Sequence, residues 1–257
     1  MSEALRRISQ WYSIPLLLVL WQLAVTSGLV ESRLLPSVTR VWTVLAADTA
    51  NGVLPYHTLV TLSRAAAGFA LAICAGVPFA AAMARSTVIR NLFEPIFFLG
   101  YPVPKIALFP VFTYMFGIGS PSKIAFAFLE CLYPIVVASL LSFRAIPNPL
   151  IWAAENMGTG RVAILCRVVF PAAMPGIFAG LRIALPVSII VIVLTEMIGD
   201  SKGLGYYIAV SGTRFAFASV YAGVVVIGLC GFVLDRALLF IRRRFVHGED
   251  TNAGGRF

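Results

Sequence analysis

Pro171-Ala-Ala-Met-Pro-Gly-Ile-Phe-Ala-Gly-Leu-Arg-Ile-Ala-Leu-Pro-Val-Ser-Ile-Ile-Val-Ile-Val-Leu-Thr-Glu-Met-Ile198 is an apolar run whose only ionisable side chains are Arg182 and Glu196. About 20 such residues, wound as a helix, cross a bilayer with every backbone polar group bonded internally. Five further runs of that kind flank it: Trp11 to Leu29, Ala65 to Ala84, Leu92 to Phe116, Ile124 to Phe143 and Ala218 to Ile241. The chain of 257 residues is 60% hydrophobic and 12% charged, with a mean hydropathy of +0.91. So little charge cannot coat a soluble enzyme, and so much apolar surface excludes a disordered chain. The fold class expected is all-α integral membrane with six transmembrane helices.

Arg6 and Arg7 precede the first run, but no small-residue cleavage site follows it, so it reads as a retained span. The organisation expected is an N-terminal transmembrane helix with an amphipathic segment over 1–56, a core of five transmembrane helices with a long connecting loop over 57–246, and a disordered tail over 247–257. Leu34 to Asp48 is amphipathic and lies along the outer interface or packs on the bundle. The longest connection, 144–170, lies between the fourth and fifth spans. It has helical spacing, Pro147 and Pro149 at its start, and Gly158 and Gly160 within it.

Lys and Arg outnumber Asp and Glu, 20 to 11. The excess falls in short clusters between apolar runs, which is the pattern of inner loops and not of a nucleic-acid-binding face. Arg6, Arg7, Arg85, Arg90, Arg144, Arg161, Arg167 and Arg242 to Arg244 fall on one side. Arg33, Arg40, Lys123, Lys202 and Arg214 fall on the other. Both termini and the 144–170 loop are therefore placed in the cytoplasm. Cys74, Cys131, Cys166 and Cys230 have no CxxC spacing and read as small apolar residues.

Small residues recur at every fourth position in two spans: Gly68, Ala72, Gly76, Ala80 and Ala84 in the second, Ala172, Gly176, Gly180, Ala184 and Ser188 in the fifth. Such stripes let helix backbones approach closely in lipid, so these two spans are expected at the packed centre. Pro102, Pro104 and Pro110 interrupt the third span, and Pro175 and Pro186 the fifth. A helix broken at Tyr101-Pro-Val-Pro-Lys105 points to a buried cavity or pathway.

Charge at membrane depth needs a partner or a cavity. Lys105 and Glu130 sit near the middle of consecutive antiparallel spans and can pair, either fixing helix register or lining a substrate path. For Arg182 and Glu196 a packing or gating role comes ahead of ligand contact. No phosphate loop, dinucleotide fingerprint, GxSxG or HExxH is present, and His57 and His247 are far apart. The chain is expected to be no enzyme and to hold no metal or cofactor of its own. If transport is active, energy comes from a partner subunit or an ion gradient.

Trp152-Ala-Ala-Glu-Asn-Met-Gly158, followed after nine residues by Val168-Val-Phe-Pro171, resembles the E-A-A-x3-G-x9-I-x-L-P signature of binding-protein-dependent ABC importer permeases. Ala153, Ala154, Gly158 and Pro171 match; Trp152, Val168 and Phe170 replace Glu, Ile and Leu. Leu34-Leu-Pro-Ser, Pro104-Lys-Ile-Ala-Leu-Phe-Pro110, Phe116-Gly-Ile-Gly-Ser-Pro-Ser-Lys123, Pro175-Gly-Ile-Phe-Ala-Gly-Leu-Arg182 and Gly203-Leu-Gly-Tyr-Tyr207 are similar to the nitrate, sulfonate, taurine and bicarbonate branch. The resemblance implies that Trp152, Ala153, Ala154, Glu155, Asn156, Met157, Gly158 and Pro171 belong to a coupling loop gripped by an ABC ATPase dimer, where ATP and Mg bind. It also implies a second permease copy or paralogue, an extracytoplasmic solute-binding protein, and a place in a bacterial cytoplasmic (inner) membrane. Lys105, Glu130, Arg182 and Glu196 are then the pathway candidates for a small anionic solute such as nitrate, a sulfonate or taurine. The competing expectation is a stand-alone secondary transporter or channel driven through those same charges.

Overall fold

A computed structural model describes residues 12–31, 34–100 and 102–246. Arg6, Arg7, Trp11, Arg33, Tyr101 and the tail from His247 lie outside the described residues. Among those described, regular structure is helical throughout: α1 Ser13–Thr26, α2 Val38–Ala50, α3 Val53–Arg85, α4 Thr87–Gly100, α5 Phe109–Phe116, α6 Ser120–Arg144, α7 Asn148–Asn156, α8 Arg161–Ile164, α9 Phe170–Gly199, α10 Leu204–Thr213 and α11 Phe217–Phe245.

Among the described residues, four helices are long and apolar enough to cross a membrane: α3, α6, the continuous helix Arg161–Gly199 that joins α8 to α9, and α11. The pair formed by α4 and Lys105–Phe116 makes a fifth span if counted as one, and its halves meet at 101°. The first expected span is represented by α1, 14 residues long. At 1.5 Å per residue that is about 21 Å, short of the hydrocarbon core by itself. Two expected boundaries move. α3 begins at Val53, ahead of Ala65, because the polar turn Tyr56-His57-Thr58 continues the helix beyond its apolar part. The fifth span begins at Arg161, ahead of Pro171. A π turn over Leu165–Val169, in which the Phe170 N–H reaches Leu165 O, carries the helix up to the proline that cannot donate.

The chain forms two compact units. The first comprises residues 12–60 and 196–228 of the described chain. The amphipathic segment forms α2, its first turn closed by the Ser37 hydroxyl accepting from the Arg40 N–H at 3.3 Å. α2 is tied to α1: the Trp21 indole donates to Pro36 O at 3.1 Å, and the Val38 N–H donates to Gln22 Oε1 at 2.9 Å. Leu54, Leu204, Tyr207 and Ile208 form the small core.

The second unit comprises 61–195 and 229–246 of the described chain, and its centre is α6. Both small-residue stripes lie against this helix. A Cβ on Gly68 would come 2.8 Å from the Ala127 methyl, and one on Gly180 would come 2.7 Å from the Ala138 methyl. Gly176 faces Ser142 and Gly76 faces Ile135. The second and fifth spans contribute Ala72, Ala80 and Ala184 to the buried core, as expected of the packed centre, and α6 lies between them, meeting Gly68 with Ala127 and Gly180 with Ala138. Ala172 departs from the stripe. It is exposed, and its neighbour Ala173 is buried and accepts the Ser142 hydroxyl at 2.8 Å. Cys131 fits as a small core residue whose thiol donates to Ala184 O at 3.5 Å.

Candidate functional site

The loop 144–170 is built around α7. Pro149 opens the helix, where its missing N–H costs no bond. Gly158 closes it at φ +76°: its N–H donates to Glu155 O at 2.9 Å, and the Thr159 N–H to Ala154 O at 3.1 Å. That pair of bonds is a Schellman cap, and the left-handed φ explains why glycine stands there. The cap turns the chain into the Arg161–Gly199 helix. Ala154 is buried against its own chain, whereas Ala153, Glu155 and Asn156 are exposed. Trp152 and Met157 are 58% and 77% exposed, and Val162 on α8 is as open. Three large apolar side chains are therefore exposed along the loop, around its glycine cap. Glu155 and Arg161 border a cleft of about 390 Å³ behind it, floored by Phe143, Ile164 and Val169. Pro171 lies in the first turn of α9, on the exposed side.

Lys105 and Glu130 are brought together, Nζ to Oε2 at 3.7 Å, with Lys105 only 9% exposed. The ammonium also donates to Val103 O at 3.4 Å and Gly100 O at 3.5 Å, and sits 4.5 Å over the Tyr133 ring. Pro102 and Pro104 break the helix between α4 and α5, and Lys105 takes up carbonyls released there. Tyr133 was not evident from sequence, because an aromatic in an apolar run carries no signal of what lies over its face.

Arg182 pairs with Asp235 of α11: Nε to Oδ1 at 2.9 Å and Nη2 to Oδ2 at 3.4 Å. The sequence reading missed this partner, although Asp235 stands as a lone acid in the run Ala218 to Ile241, which is the signal that could have found it. Glu196 is buried, and Oε2 accepts the Gly205 N–H at 3.1 Å in the first turn of α10. A carboxylate there satisfies a terminal N–H and faces the positive end of the helix. The Gly203 N–H donates to His57 Nδ1 at 3.0 Å, and the Tyr207 hydroxyl to Asp48 at 2.5 Å. Lys123, expected as an outer-loop charge, is buried and donates to Gly119 O at 3.3 Å. Arg64 is equally buried and donates to Ser120 Oγ at 2.9 Å. Among the described residues, no cluster of His, Cys, Asp and Glu could hold a metal ion.

Residues 72–247 match the family model of the binding-protein-dependent transport system inner membrane component. The chain belongs to this family. It is a multi-pass membrane permease of the ABC importer class. It is 31% identical over 244 residues to the taurine transport system permease protein TauC of Escherichia coli (strain K12), covering 92% of this chain and 89% of that one. To the nitrate import permease protein NrtB of Synechococcus elongatus it is 26% identical over 244 residues, covering 90% and 86%. Among solved structures, the permease fold is shared with a chain of the MetNI methionine ABC transporter in its inward facing conformations. That match has a TM-score of 0.64 at 19% identity over 73% of this chain and 94% of that one. The permease therefore belongs with the taurine and nitrate branch, which sets the stand-alone transporter aside.

Proposed function

We propose that this permease subunit forms a pathway for a small anionic solute, with a second copy or a paralogue as its partner in the membrane. A solute-binding protein delivers the solute outside. An ABC ATPase dimer binding ATP and Mg grips Trp152 to Gly158 inside, and both termini are cytoplasmic. Nitrate, a sulfonate or taurine is the solute class suggested by the relatives' names. Lys105, Glu130, Arg182 and Glu196 are the pathway and gating residues, and this chain performs no hydrolysis itself.

The observation that carries the reading is the set of exposed apolar side chains Trp152 and Met157 on α7 and its cap, and Val162 at the start of the helix that continues as a membrane span. Exposed apolar side chains around a glycine cap suit the anchors of an interface, and Val162 moves as the Arg161–Gly199 span moves. Gly158→Val forces a β-branched residue into a left-handed turn, at about 1–2 kcal/mol. In a well-folded detergent extract it should abolish co-purification of the ATPase subunit and ATP-driven uptake. Retention of both would refute the assignment.

A further inference from the structure

The cleft beside the 144–170 loop is walled by the ends of three membrane-length helices. Ala84 and Arg85 end α3, Phe143 lies one residue from the end of α6, and Arg161 begins the helix that runs to Gly199. α7 closes the other side with Ile151 and Glu155. The cleft thus lies between the loop and the span ends, where hydrocarbon gives way to headgroups.

Its walls divide by chemistry. Phe143 and Ile164 are buried in the floor, with Val169 beside them, whereas Arg85, Arg161 and Glu155 are exposed at the mouth. Among the described residues, neither arginine side chain forms an ion pair, and Glu155 is paired with neither. Two positive charges against one negative leave the mouth at net +1. A matching occupant is apolar at one end and carries one negative charge at the other, beside a hydrogen-bond donor for Glu155. The guanidinium fork suits phosphate oxygens, and basic pockets between helix ends on the inner side of a membrane take anionic headgroups. The volume of about 390 Å³ is that of a small-ligand site. A soluble anion would leave the apolar floor in water. Trp152 and Met157, the exposed anchors offered to the ATPase, line none of this cleft.

We infer that the cleft binds one anionic phospholipid of the inner leaflet. Its phosphate lies between Arg85 and Arg161, its glycerol headgroup donates to Glu155, and the tops of its acyl chains rest on Phe143, Ile164 and Val169. The lipid fills the space between the coupling loop and the inner ends of three spans, so a push on the loop reaches those ends through packed matter. The inference rests on the permease reading for the side of the membrane it assigns.

The test is native mass spectrometry of the detergent-solubilised importer, the permease with its co-purifying subunits. It is titrated with phosphatidylglycerol, phosphatidylcholine and phosphatidylmethanol of matched chains. The parent should retain one phosphatidylglycerol per permease copy and hold it more tightly than phosphatidylcholine. Arg85→Gln and Arg161→Gln should each weaken it about fivefold, while Arg85→Lys keeps the charge and should stay within about twofold of the parent. Arg244→Gln, exposed on α11 and outside the cleft, should leave it unchanged. Each variant changes an exposed side chain and is checked for normal assembly by size exclusion. Phosphatidylmethanol has the same charge and no headgroup hydroxyl, so it should bind about threefold more weakly; equal binding would overturn the contact to Glu155. No loss in the Arg85 and Arg161 variants, or an equal loss in Arg244→Gln, would overturn the site. Displacement of the lipid by an equal concentration of glycerol 3-phosphate would overturn it in favour of a soluble anion. Binding seen only after the ATPase is stripped away would overturn it in favour of a protein contact. ATP-driven uptake is measured separately, and its failure would remove the permease reading while leaving the lipid titration intact.

Discussion

Gly203 shows how much one missing side chain decides. Its backbone holds φ +106°, and a Cβ there would fall onto the Glu196 carboxylate, which accepts the Gly205 N–H. Gly203→Ala therefore both strains the backbone and displaces a buried acid. It should cost about 1–3 kcal/mol and lower the melting temperature of the detergent-solubilised protein by about 5 °C; an unchanged melting curve would show that the loop is not tied as described. Tyr207 makes a second test in the same unit. Burial, then its hydrogen bond to Asp48, push its hydroxyl up to about 12 from an ordinary 10. A raised pKa favours the neutral form in the folded state. Its contribution is thus full below about pH 10 and is lost as pH rises through about 12. Tyr207→Phe should lose stability at neutral pH and show a smaller further loss between pH 10 and 12 than the parent, measured by thermal melts across that range. Charges such as Lys105 and Glu130 were legible as a pair because each stands alone in an apolar run. Gly203 was not legible as a contact to Glu196, since a glycine beside a loop has many reasons to be there.

At the scale of elements, α6 organises its unit by meeting a small-residue stripe on each of two faces. Gly176→Leu should abolish stable expression, because the side chain would be driven into Ser142 in a close-packed contact. Gly231→Ala on α11 has open space around the added methyl and should be neutral or stabilising by up to about 1 kcal/mol. Equal losses in the two variants, measured by thermal stability in detergent, would show that α6 does not organise the packing. The stripes themselves were plain in sequence at every fourth position, but their shared partner was not. Periodicity identifies which face of a helix is narrow and says nothing about which helix lies against it. Helix ends shifted for a related reason: hydropathy marks where lipid solvates the chain, while the backbone ladder of α3 and of Arg161–Gly199 runs on into polar residues.

For the whole molecule, the organisation legible in sequence was the set of apolar runs and the Trp152 to Pro171 signature, which together led to the permease family. The 101° break between α4 and α5 was announced by its prolines. The 14-residue α1 was not announced, because a continuous apolar run gives no sign of where its helix stops. The account's central claim is that the exposed apolar side chains of the 144–170 loop form an inner handle moved by a nucleotide-driven partner. The most direct measurement is site-specific cross-linking from Met157→Cys, in a cysteine-free background, to the ATPase subunit during ATP-driven uptake. The account predicts a cross-link to the ATPase from the cytoplasmic side, with transport arrested once it forms. Reaction of that cysteine with an impermeant reagent on intact cells, or uptake that continues with the cross-link in place, would contradict it.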